Sequence, residues 1–117
     1  MKENILAEKS LAFAVRIAKL YSFLENEKRE YIMSKQALKS GTSIGANVNE
    51  AQYGQSRADF TSKMNIALKE AAETEYWIKV LAMSGYIDEK IADSLIFDCL
   101  EIKRLLVSTV KTAKEDR

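Results

Sequence analysis

The sequence predicts an all-α protein, an antiparallel up-down-up-down four-helix bundle, and three observations predict it. Proline is absent from the 117 residues, only four are glycine, and hydrophobic and charged residues make up 47% and 30%. That composition suits long helices better than a turn-rich β domain. Apolar residues recur at spacings of three and four through four separate stretches. The joints between them are short, so consecutive helices are expected to lie side by side and antiparallel. The length fits one domain, residues 1–117, able to bury roughly two-thirds of its unfolded surface.

The first helix is predicted over residues 3–25, where Leu6, Ser10, Phe13, Ile17, Leu20 and Leu24 share a face and Ala14, Ala18 and Tyr21 widen it. The joint ENEKRE has neither glycine nor proline, so the second helix can begin anywhere from Glu27 to Tyr31 and is taken as residues 30–53. Its apolar stripe, Met33, Ala37, Gly41, Ile44, Val48 and Ala51, is narrow and built mostly of small residues. Gly54 is expected to be left-handed after it, with Ser56 as N-cap and Asp59 in the capping-box position. The third helix, residues 57–84, has the most regular spacing, Phe60, Met64, Ala67, Ala71, Thr74, Ile78 and Leu81. Gly85 closes it, Ile87 staples and Asp88 caps the fourth helix, residues 88–114, with Ile91, Leu95, Cys99, Ile102, Leu106, Val110 and Ala113 facing inward.

Within the second helix the run SGTSIGANVNEA, residues 40–51, superficially resembles a phosphate loop. It lacks the Gly-Lys-Ser/Thr ending and no strand precedes it, which excludes a P-loop. Two helical glycines oppose helix formation by roughly 2 kcal/mol together. Gly41 and Gly45 lie four residues apart on one side, so the expected compensation is a second helix approaching the backbone closely. Gly45→Leu is accordingly expected to disturb packing more than Gly54→Ala disturbs the joint.

A hydrophilic stripe, Ser40, Ser43, Asn47, Glu50 and Gly54, runs beside the apolar one, and the third helix carries another in Asp59, Lys63, Ile66, Glu70, Glu73 and Trp77. Either these stripes face solvent or they form a subunit interface in which Asn47 and Glu50 meet donors of a neighbouring chain, with Tyr76 and Trp77 as aromatic anchors.

Histidine is absent, which removes the commonest general base, the serine triad, the Cys-His pair and the Glu-x-x-His di-iron motif of helical bundles. Glu50, Glu70, Glu73 and Glu75 offer oxygens for a hard cation, but surface glutamates are ordinary on helices and no metal residue is assigned. Cys99 sits in an apolar helical setting and reads as an inert core thiol. No catalytic residue and no cofactor is assigned, and the expectation is a non-enzyme. One cysteine allows no intrachain disulfide, Met1 to Lys9 lacks a signal-peptide apolar stretch, and no run reaches membrane-spanning length. A cytoplasmic protein with no membrane partner is expected.

The net charge of +1 conceals an uneven distribution: residues 1–49 carry eight basic and five acidic side chains, residues 50–101 five and ten, and residues 102–117 five and two. Lys35 and Lys39 form a helical pair, Arg57 follows the second joint, and Lys103, Arg104, Lys111 and Lys114 make the last helix basic. These are the candidate phosphate contacts. No helix-turn-helix, RNA-recognition or zinc motif accompanies them, and solvated helix faces are the plain alternative.

The run SKQALKSGTSIGANVNEAQYGQSRADFTSKMNIALKEAAETEYWIKVLAMSGYI, with EKSLAFAVRIAKLYSFL before it, resembles the four-helix-bundle proteins related to the 23S rRNA intervening-sequence proteins. The resemblance spans the first three helices and the start of the fourth. Its most specific elements are Ser43-Ile44 with Asn47 and Glu50, then Ser56, Asp59-Phe60 and the stretch Ala67 to Trp77. It implies a small antiparallel bundle assembling as a ring-like homopentamer, with no catalytic residue. A related group, the accessory variability determinant proteins, forms basic pentamers that bind nucleic acid and a reverse transcriptase.

The combined expectation is a homo-oligomer, a pentamer by resemblance, presenting a repeated basic surface to RNA or a ribonucleoprotein. A protein-interaction scaffold without nucleic acid is the alternative. The expected subunit-interface residues are Ser43, Asn47, Glu50, Asp59, Glu70, Glu73 and Trp77.

Overall fold

In a computed structural model, residues 2–115 are described, with side chains from residue 5 onward, and they form four helices and no strand: α1 Lys2–Asn26, α2 Met33–Ala51, α3 Arg57–Met83 and α4 Glu89–Glu115. α1 packs on α2 and α4, α3 packs on the same two, and the diagonal pairs lie farther apart. The molecule measures 48 × 22 × 19 Å. Its long dimension follows from helices of up to 27 residues, each residue adding about 1.5 Å.

The core follows the helical periodicity. Leu6, Phe13, Ile17 and Leu24 of α1, Ile44 and Val48 of α2, Met64, Ile78 and Leu81 of α3, and Ile102 and Leu106 of α4 are all at most 1% exposed. Truncating one buried leucine or isoleucine to alanine removes about 2–5 kcal/mol. Two inward expectations fail at the margins: Ile91 is 44% exposed and Ala92 takes the inward position, while Ala18 faces solvent. At Ile91, near the start of α4, the cause is helical pitch: 3.6 residues per turn rotates a four-three row away from the core near its ends. Ala18 follows the buried Ile17 by one residue, about 100° around the helix.

α2 is shorter than the predicted 30–53, beginning at Met33 and ending at Ala51. Its start is fixed by Glu30, a buried residue at 8% exposure. The Glu30 carboxylate accepts the backbone N–H groups of Ile32, Met33 and Ser34 at 3.1, 3.0 and 2.7 Å, and the Ser34 hydroxyl donates to the Glu30 carbonyl at 2.8 Å. These are donors that a helix start leaves without intrahelical partners. Arg29 takes the left-handed conformation at φ 53°, and the Glu30 N–H reaches back to Leu24 O at 3.0 Å. The joint that lacks a glycine is thus turned by an arginine and locked by a carboxylate.

The other joints are closer to expectation. Ser56 caps α3 by accepting Asp59 N–H at 3.0 Å, and Asp88 caps α4 by accepting Ile91 N–H at 2.8 Å. Gly85 closes α3 with φ 86°, and Tyr86 N–H bonds to Leu81 O at 2.9 Å, a Schellman closure. Gly54 is not left-handed, in contrast to the prediction; Gln52, Tyr53 and Gly54 instead donate to Asn49, Glu50 and Ala51 carbonyls, a tightening of the last turn.

The helix approached by the two glycines of α2 is α1. A Cβ added at Gly41 meets Ile17 Cγ2 at 2.8 Å and Cγ1 at 2.9 Å, whereas one at Gly45 meets the Ser10 carbonyl oxygen at 3.4 Å. Close packing therefore explains Gly41, while Gly45 makes a looser approach to the same helix. At Gly45 an alanine fits, so Gly45→Ala is expected to raise stability by up to about 1 kcal/mol through helix propensity, measured by urea unfolding. A lower midpoint would show that even the 3.4 Å approach admits no methyl group.

Ser40, expected in the hydrophilic stripe, is instead buried at 1%, with its Oγ 2.9 Å from Thr74 Oγ1 across the α2–α3 contact. Thr74 also donates to Glu70 O at 2.8 Å. Among the described residues every buried side-chain nitrogen or oxygen has a hydrogen-bond partner.

Candidate interaction surfaces

α2 and α3 place most of the predicted interface residues along their shared outer seam. Ser43 donates to Lys39 O at 2.6 Å and Asn47 donates to Ser43 O at 2.8 Å, both within α2. Glu50 pairs with Lys63 of α3 at 3.1 Å. The Asp59 carboxylate accepts Gln55 N–H at 3.3 Å. Trp77 donates its indole N–H to Glu73 at 3.2 Å and meets the Tyr76 ring edge-to-face at 5.1 Å. Each of these contacts closes within the chain.

Electrostatics along the same seam are local. Glu70 is raised above the ordinary glutamate value, first by burial and then by the Glu73 carboxylate, while Lys39 pulls in the opposite direction. Lys39 is thereby placed beside Glu70. On the α3–α4 side Glu75 accepts Lys79 at 2.8 Å and Lys103 at 2.9 Å. The hydrogen bonds from Lys79 and then Lys103 hold Glu75 below the ordinary value.

The four glutamates weighed as cation ligands are thus dispersed: Glu50 with Lys63, Glu73 with Trp77, Glu75 with two lysines, and Glu70 beside Lys39. Among the described residues no group of three or more His, Cys, Asp or Glu could hold a metal ion. No described helix is long and apolar enough to cross a membrane.

Cys99 is fully buried, its Sγ 3.2 Å from Ala71 O. Burial, reinforced by the Glu75 charge, pushes the thiol up to about 11. Thiolate is the reactive form. Alkylation of folded protein at about pH 8 is therefore expected to be undetectable while unfolded protein labels fully; rapid labelling without denaturant, read by mass spectrometry, would contradict the buried-thiol assignment.

The seven predicted cations do not form one cluster. Lys35 and Lys39 lie on α2, Arg57 opens α3, and Lys103, Arg104, Lys111 and Lys114 follow along α4. The Glu50–Lys63 and Ser40–Thr74 contacts put the start of α3 beside the end of α2, so Arg57 lies at the opposite end of the bundle from Lys35. Lys103 shares the Glu75 carboxylate with Lys79, whereas Lys35, Arg57, Arg104, Lys111 and Lys114 are exposed and take part in none of the ion pairs among the described residues.

Two surface features carry no signal in the linear periodicity. One is a groove between α1 and α2 of about 520 Å³, with Glu8, Leu11 and Asn49 on its walls. The other is a row on α4 where Phe97, Leu100 and Val107 are 67%, 37% and 53% exposed and alternate with Arg104 and Lys111. Outward apolar residues were the available sign, but a single sequence does not separate them from ordinary exposed hydrophobics.

Comparison with known proteins adds an independent line. The family model described as 23S rRNA-intervening sequence protein matches residues 2–108. A crystal structure from Bacteroides thetaiotaomicron VPI-5482, described as a protein with unknown function from the S23 ribosomal protein family, is 57% identical and superposes with a TM-score of 0.94. That match covers 95% of this chain and 99% of the other. No curated protein matches.

Proposed function

Because this chain belongs to the 23S rRNA-intervening sequence protein family, we propose that it is a non-enzymatic, cytoplasmic, up-down-up-down bundle that assembles as a ring-like homopentamer and presents a repeated basic surface to RNA or a ribonucleoprotein. The antiparallel reading is supported by paired contacts: Lys9 with Glu101 and Arg16 with Asp98 between α1 and α4, and Glu50 with Lys63 and Ser40 with Thr74 between α2 and α3. In each case later residues of one helix meet earlier residues of the other.

The observation that carries the nucleic-acid reading is the set of exposed cations without ion-pair partners among the described residues, Lys35, Arg57, Arg104, Lys111 and Lys114. One copy offers only a few phosphate contacts. Repetition around a ring raises the effective concentration and makes weak contacts multivalent.

Light scattering at micromolar concentration tests assembly, and a monomer would end that part of the reading. Retention of structured RNA is expected to fall steeply with salt. Lys35→Glu with Lys39→Glu is expected to weaken it and to reduce the salt slope by about 1 for each phosphate no longer neutralised. Absence of binding even at low salt would favour a protein-interaction scaffold, the second reading, which the exposed apolar row of α4 supports.

A further inference from the structure

We infer that the α4 row of one copy seats in the α1–α2 groove of the next copy, so that subunits join head to tail. The inference rests on the assembly reading above and specifies its contact. The groove arises from side-chain size: Gly45 brings α2 close to the Ser10 backbone of α1, while Ala7, Ala14 and Ala46 leave the space outside that approach unfilled. Leu11 stands on its wall at 66% exposure. The complementary element is a ridge. Phe97, Leu100, Arg104, Val107 and Lys111 are spaced three and four residues apart, one face of helix about 21 Å long.

Position makes the contact a head-to-tail one. On α4, Asp98 and Glu101 turn toward α1, where they meet Arg16 and Lys9, whereas Lys103 turns toward α3, where it meets Glu75. Leu100 and Val107 line one surface hollow with Lys103, so the ridge leans away from α1 toward α3. Groove and ridge therefore occupy opposite sides of the bundle, and each copy can offer one to each neighbour. A contact of this kind repeats, and it closes a ring when the rotation allows.

Charge selects the occupant. Glu8 lies on the groove wall and Arg104 in the ridge, and neither has an ion-pair partner among the described residues. Ridge on groove places opposite charges together. A symmetric ridge-on-ridge dimer would instead set Arg104 and Lys111 against the same cations of its partner, and like-charge contact opposes such pairing. In the seam Arg104 and Lys111 serve subunit contact and leave the set of exposed cations that carries the nucleic-acid reading, which retains Lys35, Arg57 and Lys114.

Charge exchange tests the seam. Glu8→Arg and Arg104→Glu are each expected to raise the dissociation constant of the assembly about tenfold or more by sedimentation, with unchanged helical circular dichroism, and the double variant is expected to restore it. In parallel, the double cysteine variant Ala46→Cys with Val107→Cys is expected to give a covalent ladder with a short bismaleimide, while each single variant gives none; the buried Cys99 stays silent. If the wild type assembles but both charge variants assemble equally well, or the double variant is not restored, or Val107→Cys alone yields dimers, the seam is wrong and the assembly reading stands. A monomeric wild type overturns both.

Discussion

Replacing Glu30 with alanine is expected to destabilise the protein by about 2–3 kcal/mol, more than an ordinary helix-cap loss of about 1 kcal/mol. The reason is the number of donors the carboxylate serves. Three consecutive backbone N–H groups at the start of α2 bond to it, and Ser34 is fully buried, so water does not freely replace the missing acceptor. Glu30→Gln keeps one acceptor oxygen and is expected to lose roughly half as much. Urea unfolding measures both. Equal midpoints for wild type and Glu30→Ala would show that α2 starts without this cap.

The same residue sets an acid dependence. Burial, the largest single influence, raises Glu30, but the N–H groups of Met33, Ser34 and Ile32 and the Ser34 hydroxyl together outweigh it and hold the group below the ordinary glutamate value. A carboxylate lowered on folding contributes stability that is complete above its unfolded pKa and is lost as pH falls through the folded one. The stability difference between wild type and Glu30→Gln is thus expected to be constant near neutrality and to shrink as pH drops from about 5 downward. A difference that grows on acidification would reverse the sign and refute the assignment.

Gly41→Ala is the second large effect, at about 1–3 kcal/mol of overpacking, partly offset by about 1 kcal/mol of helix propensity. Ile17 is β-branched and fully buried, so its methyl groups cannot swing away from a new Cβ at 2.8 Å. Combining Gly41→Ala with Ile17→Ala removes both clashing carbons. The pair is expected to be less destabilised than the sum of the singles by about 0.5–3 kcal/mol in a double-mutant cycle. Additive behaviour would mean that α1 and α2 separate to accept the methyl group instead of clashing. Contrasting results at Gly41 and Gly45 would locate the close approach within one turn of α2.

These energetics bear on the functional reading. Of the two close approaches in the α1–α2 pair, Gly45 against Ser10 lines the groove proposed as a subunit seat, and Gly41 against Ile17 lies one turn earlier on α2. The polar α2–α3 seam is already satisfied by bonds such as Glu50 to Lys63 and Trp77 to Glu73. The proposed contact between copies accordingly uses apolar surface, and the proposed nucleic-acid contact uses cations outside the ion pairs found among the described residues.

By itself the sequence determined the four-helix class, the caps at Ser56 and Asp88, the closure at Gly85 and most of the inward rows, including the fully buried Cys99. Those features are local: they depend on residues within one turn, or on a spacing that repeats along a single helix. Only the tertiary structure decided where α2 begins, because Glu30 caps by being buried against its own turn and Arg29 turns left-handed without a glycine to announce it. It also decided that Ser40 faces Thr74 in the core, that Gly41 is tighter than Gly45, and that Lys103 pairs with Glu75 while Arg104 takes part in no ion pair among the described residues. Each of these depends on which helix stands opposite and at what height, and a spacing of three and four residues gives a helix its face but not its neighbour.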